Sequence, residues 1–396
     1  MSVELIEVPL DVKGWAIPLT WGGIWRTGDG GLIDRFIRVQ WTVNQEFNPG
    51  GQWVAPLLMD RRDYLDVHKN PFFQHADVAC WIARKDGRDL GRIAAVVDHD
   101  WEKRHGDPTG SFGFFDCVDD QEIATALLDR ARSWLKERGR TAVVGPFDLS
   151  TNYQAGLLVD SFDAKPCVQM PYNPPWYEKL LLGAGLEQKK DLWQWWLSTA
   201  TPIPEKVERV ADKVAKRNNV VVRQMDLDNW DREVDTVLEI YNDAWDDNWG
   251  FVPVGEAEFR HIAADLKMVI DPNLALMAEV DGEAIAFCIT IKDLNQALDG
   301  LNGSLVPTGG LKLWWRTDVK PVVTRGRLIV MGIKSGYRRR GADSILFVET
   351  HRAANRVGWE GAEIGWTLDD NDMVNRAIEA MNGTKVKTYR VFGQDL

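Results

Sequence analysis

Cysteine is scarce in this chain: Cys80, Cys117, Cys167 and Cys288 are widely spaced, and no two form a Cys-x-x-Cys pair. That spacing excludes a disulfide framework or a thiolate zinc ribbon and leads us to expect reduced thiols in a cytoplasmic protein. The six histidines show no zinc-ligand spacing, so no metal is expected. Positive charge is also short, with 47 Lys and Arg against 59 Asp and Glu and a net charge of -12. Nonspecific nucleic-acid binding needs a basic surface, so nucleic acid is not an expected partner. No apolar run approaches membrane-spanning length, and no basic region followed by an apolar core opens the sequence.

What the chain does have is a strand, a basic turn and a helix in close succession. The apolar run Leu328 to Ile333 reads as a buried strand, and an apolar helical period follows through Ile345, Val348, Ala353 and Val357. Between them lie Arg338, Arg339, Arg340, Gly341, Ala342 and Asp343. First-turn N–H groups are unpaired, the helix dipole is positive there, and a glycine lets the backbone come close to a ligand. This is the expected site for the pyrophosphate of a nucleotide-like ligand.

A second signal is internal repetition. Ala79 to Ala83 leads through Asp86-Gly87 to the apolar run Ile93 to Val97; Leu274 to Ala278 leads through Asp281-Gly282 to Ala286 to Ile291. Each reads as a β-hairpin with Asp-Gly in its turn. Downstream, Glu122 to Gly139 and Ala342 to Gly358 both read as helices, followed by short strands from Ala142 and Ala362 and then by Asn152 and Asn371. A chain of 396 residues accommodates two copies of one α/β unit. We expect an extension over 1–33, a first domain over 34–200, and a second over 201–396 with an insertion at 294–324. The copies differ: Phe114 to Asp120, which replaces the basic turn, is acidic and lacks glycine. One site, in the second copy, is the expectation.

The turn resembles the pyrophosphate-binding turn of the GNAT acyltransferases, Arg/Gln-x-x-Gly-x-Gly/Ala. Arg338 and Gly341 match, and Asp343 stands at the last position. Asn173 to Leu186, with Tyr177, is similar to that family's closing helix, whereas Asn371 to Gly383 matches it poorly. The resemblance implies an α/β fold with a mixed sheet in each of two tandem GNAT-like domains, the first degenerate. It further implies acyl-CoA as co-substrate in a V between the strands Leu328 to Ile333 and Ala362 to Trp366. The backbone of Met331, Gly332 and Ile333 would hold the pantetheine and the thioester carbonyl. An amine acceptor attacks directly in this family, and Glu363, Tyr389 and Asn371 are the candidate catalytic residues, with Glu279, Asp369 and Tyr337 behind them. The phrases Asn248 to Pro253 and Tyr172 to Pro175 resemble bacterial acyltransferases that join a fatty acyl group to a sphingoid base, which implies a long-chain amine. Three alternatives stand beside this reading. They are an acetyltransferase for a small soluble amine, a FemAB-style transferase, and a non-catalytic acyl-CoA-binding protein.

Tryptophan is abundant, at 19 residues. Clusters such as Trp193, Trp195, Trp196 and Trp314, Trp315 fit core packing. The sharper reading beside it is an acyl tunnel or a peripheral membrane contact, above all in the Trp15 to Trp25 segment. The glycine-rich insertion reads either as a lid over a substrate pocket or as a peripheral loop.

Overall fold

The computed structural model describes residues 2–11, 30–246, 248–338 and 340–396. The Trp15 to Trp25 segment and Arg339 lie outside the described residues. The chain forms two compact units, and they are not its contiguous halves. Unit 1 comprises Met1–Asp191, Ala297–Lys320 and Thr388–Leu396; unit 2 comprises Leu192–Gln296 and Pro321–Lys387.

Unit 1 is built on strands β1 (Glu4–Val8), β2 (Ala76–Lys85), β3 (Arg88–Asp98), β4 (Thr109–Cys117), β5 (Ala142–Gly145) and β6 (Leu157–Leu158). Its helices are α1 (Gly30–Trp41), α2 (Leu58–Tyr64), α3 (His99–His105), α4 (Gln121–Glu137) and α5 (Tyr177–Gly183). The β2–β3 hairpin turns on Asp86 (φ 53°) and Gly87 (φ 77°), both left-handed, as a two-residue turn between right-twisted strands requires. Helix α4 buries Ile123, Leu127, Ala131, Trp134 and Leu135 along one stripe. That stripe joins Trp81, Phe112 and the α1 residues Phe36 and Ile37 in the core of the unit.

Unit 2 begins within β7 (Glu187–Ser198) and continues through α6 (Glu205–Arg217), β8 (Val220–Gln224), α7 (Trp230–Trp245), α8 (Glu256–Lys267), β9 (Ile270–Val280) and β10 (Glu283–Lys292). After α9 (Asn295–Leu298) and α10 (Gly309–Trp314) it resumes with β11 (Arg325–Ile333), α11 (Ala342–Arg356), β12 (Gly361–Leu368), α12 (Asp372–Ala380) and the start of β13 (Thr384–Asp395). Its strands lie in the order β7-β12-β11-β10-β9-β8. The β9–β10 hairpin turns on Asp281 (φ 51°) and Gly282 (φ 83°), repeating the geometry of the first copy.

The copies exchange their last strands. Leu192 to Leu197, expected to finish the first copy, instead pairs antiparallel with β12 in unit 2, Leu197 opposite Ala362. Reciprocally, the C-terminal part of β13 pairs with β5 and β6 in unit 1, Phe392 opposite Gly145 and Tyr389 opposite Leu158. The insertion also changes unit, since Ala297–Lys320 packs within unit 1. There the Leu58 N–H donates to the Gly303 carbonyl at 3.0 Å, and Trp41 Nε1 donates to Asn302 Oδ1 at 2.9 Å.

Candidate active site

In unit 2, β11 and β12 pair in parallel at four positions, from Arg325↔Gly361 to Leu328↔Ile364, and the pairing ends there. Beyond that point β12 follows β7 through Thr367↔Trp193, while β11 follows β10 as far as Ile333↔Ala286. A bulge at Ile329, between the pairs Ile289↔Val330 and Thr290↔Leu328, bends β11 where the strands part. The result is a notch whose one wall is the backbone edge of Ile329 to Ile333. Gly332 lets α7 lie against this strand, since a Cβ there would come 2.7 Å from the Phe287 ring and 3.3 Å from Ala244 Cβ.

The strand leads to Gly341, which sits at φ 79° and starts α11; among the described residues no side chain caps that first turn. A Cβ on Gly341 would also stand 2.9 Å from Val214 Cγ1. Its first N–H groups therefore lack a side-chain partner and stand at the positive end of the helix dipole. Asp343 lies in the same first turn and favours the helix, while it lowers the positive potential offered to an anion. Of the arginines, Arg338 donates from Nη2 to the Asp243 and Ala244 carbonyls at 3.1 and 2.9 Å, which ties the turn to the end of α7. Arg340 lies over the Tyr337 ring at 4.9 Å. Asp243 accepts from both the N–H and the Oγ of Ser335. The sequence pattern gave no sign of this Asp243 anchor, since it lies about 90 residues upstream of the turn.

An aromatic group stands in the same unit. Trp245 packs edge-on to Trp366 of β12 at 6.2 Å and stacks with Tyr241 at 5.4 Å, and Tyr241 meets Phe251 at 5.7 Å. Burial pushes the Tyr241 hydroxyl up, so it stays neutral. Trp366 follows the last β11–β12 pair by two residues, so this apolar group borders the notch.

Glu363 and Asn371, the candidate catalytic residues of unit 2, are each engaged by other groups of the protein. Glu363, one residue before the last β12 residue paired with β11, is buried and accepts from Lys387 Nζ with both oxygens at 3.0 Å. Asn371 caps α12, its Oδ1 accepting from the Val374 N–H at 3.4 Å. Tyr389 is fully buried in unit 1. Glu279 is bound by Arg223 at 2.6 Å.

The first copy contains the same notch with its groups occupied. Pairing of β4 with β5 ends at Ser111↔Val144, and Cys117 lies opposite Gly91 as Ile333 lies opposite Ala286. There the Cys117 N–H donates to the Tyr177 hydroxyl at 3.0 Å, and its carbonyl accepts from Trp176 Nε1 at 2.9 Å. Burial, then the nearby Asp116, pushes the Tyr177 hydroxyl well above its usual range, and it donates to Asp116 at 3.0 Å. Asp116 in turn accepts from the buried Arg92 at 2.7 Å. The helix terminus is taken as well: Asp120 accepts from the Glu122 and Ile123 N–H groups at 2.9 and 3.3 Å. Burial works against ionisation of Asp120, but Lys85 and these N–H groups hold its carboxyl below the usual range. A carboxylate of the protein thus stands where the second copy leaves the N–H groups open.

No protein-family model matches the chain. It is similar to the bacterial ceramide synthase of Caulobacter vibrioides, with 38% identity over 372 residues that cover 92% of this chain and 95% of that one. It is also similar to protein YghO of Escherichia coli, with 34% identity over 87% of this chain and 88% of that one. Among solved structures, a tandem GNAT protein from the clavulanic acid biosynthesis pathway matches at TM-score 0.55 and 11% identity, covering 100% of this chain and 98% of that one. A glucosamine N-acetyltransferase region of a fungal β-N-acetylglucosaminidase matches at TM-score 0.54 and 12% identity, covering 99% of this chain and 38% of that one. These two likenesses show the fold, a tandem GNAT architecture of mixed α/β type.

Proposed function

Because the chain belongs to the family of the bacterial ceramide synthase and protein YghO, we propose that it is an N-acyltransferase that joins a fatty acyl group from acyl-CoA to a long-chain amine. A ceramide is the amide of a fatty acid and a sphingoid base, so a sphingoid base is the acceptor this reading favours. The observation that carries it is the contrast between the two notches: one is closed by Trp176, Tyr177 and Asp120, the other has an unpaired β11 edge leading to an uncapped helix terminus.

In this reading the Met331 to Ile333 edge pairs with the pantetheine amides, and the first turn of α11 receives the pyrophosphate. Gly341 and Ala342 supply the close backbone approach, while Arg338 and Arg340 shape the turn. The acceptor nitrogen must lose a proton from a state with pKa of about 10. It then attacks the thioester carbon; the C–N bond forms, the C–S bond breaks, and the sulfur leaves to be protonated as free CoA. A backbone N–H from β11 stabilises the charge that develops on the carbonyl oxygen. The Glu363–Lys387 pair fixes β12 where the notch opens, so Glu363 serves as a positioning residue. The aromatic group of Tyr241, Trp245 and Trp366 keeps water away and suits an acyl chain. Among the described residues no helix is long and apolar enough to cross a membrane. A cytoplasmic location, peripheral to the membrane that holds the acceptor, is the one this reading favours.

The test is incubation of the purified protein with palmitoyl-CoA and sphinganine, followed by mass spectrometry and thiol titration. One N-acyl product per CoA released is expected. Thiol release without amide would mean hydrolysis, and absence of both would remove the reading.

A further inference from the structure

Six large apolar side chains of the insertion face solvent: Leu311 is 68% exposed, Trp314 55%, Trp315 53%, Val306 53%, Val319 43% and Val322 36%. Leu311, Trp314 and Trp315 stand at i, i+3 and i+4 of α10 and the wider turn Trp315–Val319 that continues it, so they share one face.

The segment beneath them is firmly held. Arg316 Nη1 donates to the Ala297 and Asp299 carbonyls at 2.9 and 2.6 Å. Asn302 Oδ1 accepts from Trp41 Nε1 at 2.9 Å and from Gln45 Nε2 at 2.6 Å, and Lys165 pairs with Asp299. An apolar face presented on a fixed base marks an interaction surface.

Charge identifies what it meets. Within Gly309–Lys320, Lys312, Arg316 and Lys320 stand against Asp318 alone, three cations to one acid, in a chain whose net charge is -12. Tryptophan prefers the headgroup level of a bilayer, and lysine beside it is drawn to anionic lipid. We infer that the Leu311–Trp314–Trp315 face seats the protein on an anionic lipid bilayer, the tryptophans entering the interface and Lys312 and Lys320 meeting the headgroups. This deepens the acyl-transfer reading, which it rests on for the need to meet a long-chain amine at a membrane. The surface assigned is the insertion, not the Trp15 to Trp25 segment.

The test uses the full chain and vesicles that contain no substrate, so it stands apart from catalysis. Co-sedimentation is measured with phosphatidylcholine vesicles with and without phosphatidylglycerol. Wild-type protein is expected to sediment with the anionic vesicles. L311S/W314S/W315S is expected to lower the partition coefficient at least about tenfold, and K312E/K320E about tenfold with a loss of salt dependence. Circular dichroism and turnover of a detergent-dispersed amine check that the variants fold. Three results would each overturn the inference: wild-type protein left in the supernatant, a triple variant that partitions like wild type, or a wild-type dimer that the triple variant converts to monomer. The last would make this face a contact between copies.

Discussion

Glu363 and Lys387 are both buried, and each leaves the other uncompensated when removed. Glu363→Leu or Lys387→Leu alone is expected to cost about 3–5 kcal/mol, whereas the double substitution costs clearly less, because no lone charge stays buried. Urea denaturation of the three variants checks this; additive losses would show that the pair acts by some other means. The four free cysteines supply a second residue-scale check, all being buried. Burial pushes the Cys80 and Cys288 thiols up to about 12. A raised thiol value contributes stability that is present below the ordinary value of about 8.5 and lost as pH rises toward the folded value. Native protein at pH 8 should therefore resist alkylation at both positions and react fully in denaturant, as peptide mass mapping would report. Alkylation of the native protein at either one would contradict the packing described.

At the scale of elements, the electrostatic tie between α6 and α11 runs through Arg352, which donates to Asp212 at 3.0 Å and to Glu349 at 2.8 Å. Its hydrogen bond holds the Asp212 carboxyl below the usual range. A depressed carboxyl contributes stability above the ordinary Asp value of about 4, which is lost as pH falls through the folded value. Because this pair is exposed, Asp212→Asn should cost no more than about 1 kcal/mol at pH 7 and less at an acid pH well below the ordinary Asp value. Stability curves at the two pH values check this, and an equal deficit at both would refute it. Most elements were legible in the sequence because their cues are local. The Asp-Gly turns located both hairpins, and the helical period located α4 and α11. The turn at Gly341 was legible for the same reason. The anchoring of Arg338 to α7 and the capping role of Asn371 were not, since each depends on which backbone groups lie nearby in space.

For the whole molecule, the decisive feature is the exchange of last strands. Leu192 to Ser198 and Thr388 to Asp395 lie in strands, yet nothing local to either says which sheet it completes; partner choice is non-local. A boundary near residue 200 follows naturally from the sequence and would strip each unit of a strand. Fragments 1–200 and 201–396 expressed alone are therefore expected to be insoluble or unfolded, and to recover solubility when co-expressed. A soluble, cooperatively folded 201–396 fragment would contradict the exchange. The docking of 297–320 within unit 1 was equally hidden, because it rests on the contacts of Asn302 and Gly303 with residues about 250 positions away.

The central claim is that one notch binds acyl-CoA and the other is closed by the protein itself. Titration calorimetry of palmitoyl-CoA into the wild type, Ser344→Glu, which sets a carboxylate in the first turn of α11, and Asp120→Ala tests it most directly. The account predicts a single site in the wild type, loss of binding in Ser344→Glu with the fold intact, and an unchanged affinity and stoichiometry in Asp120→Ala. Two sites per chain, or undiminished binding in folded Ser344→Glu, would contradict it.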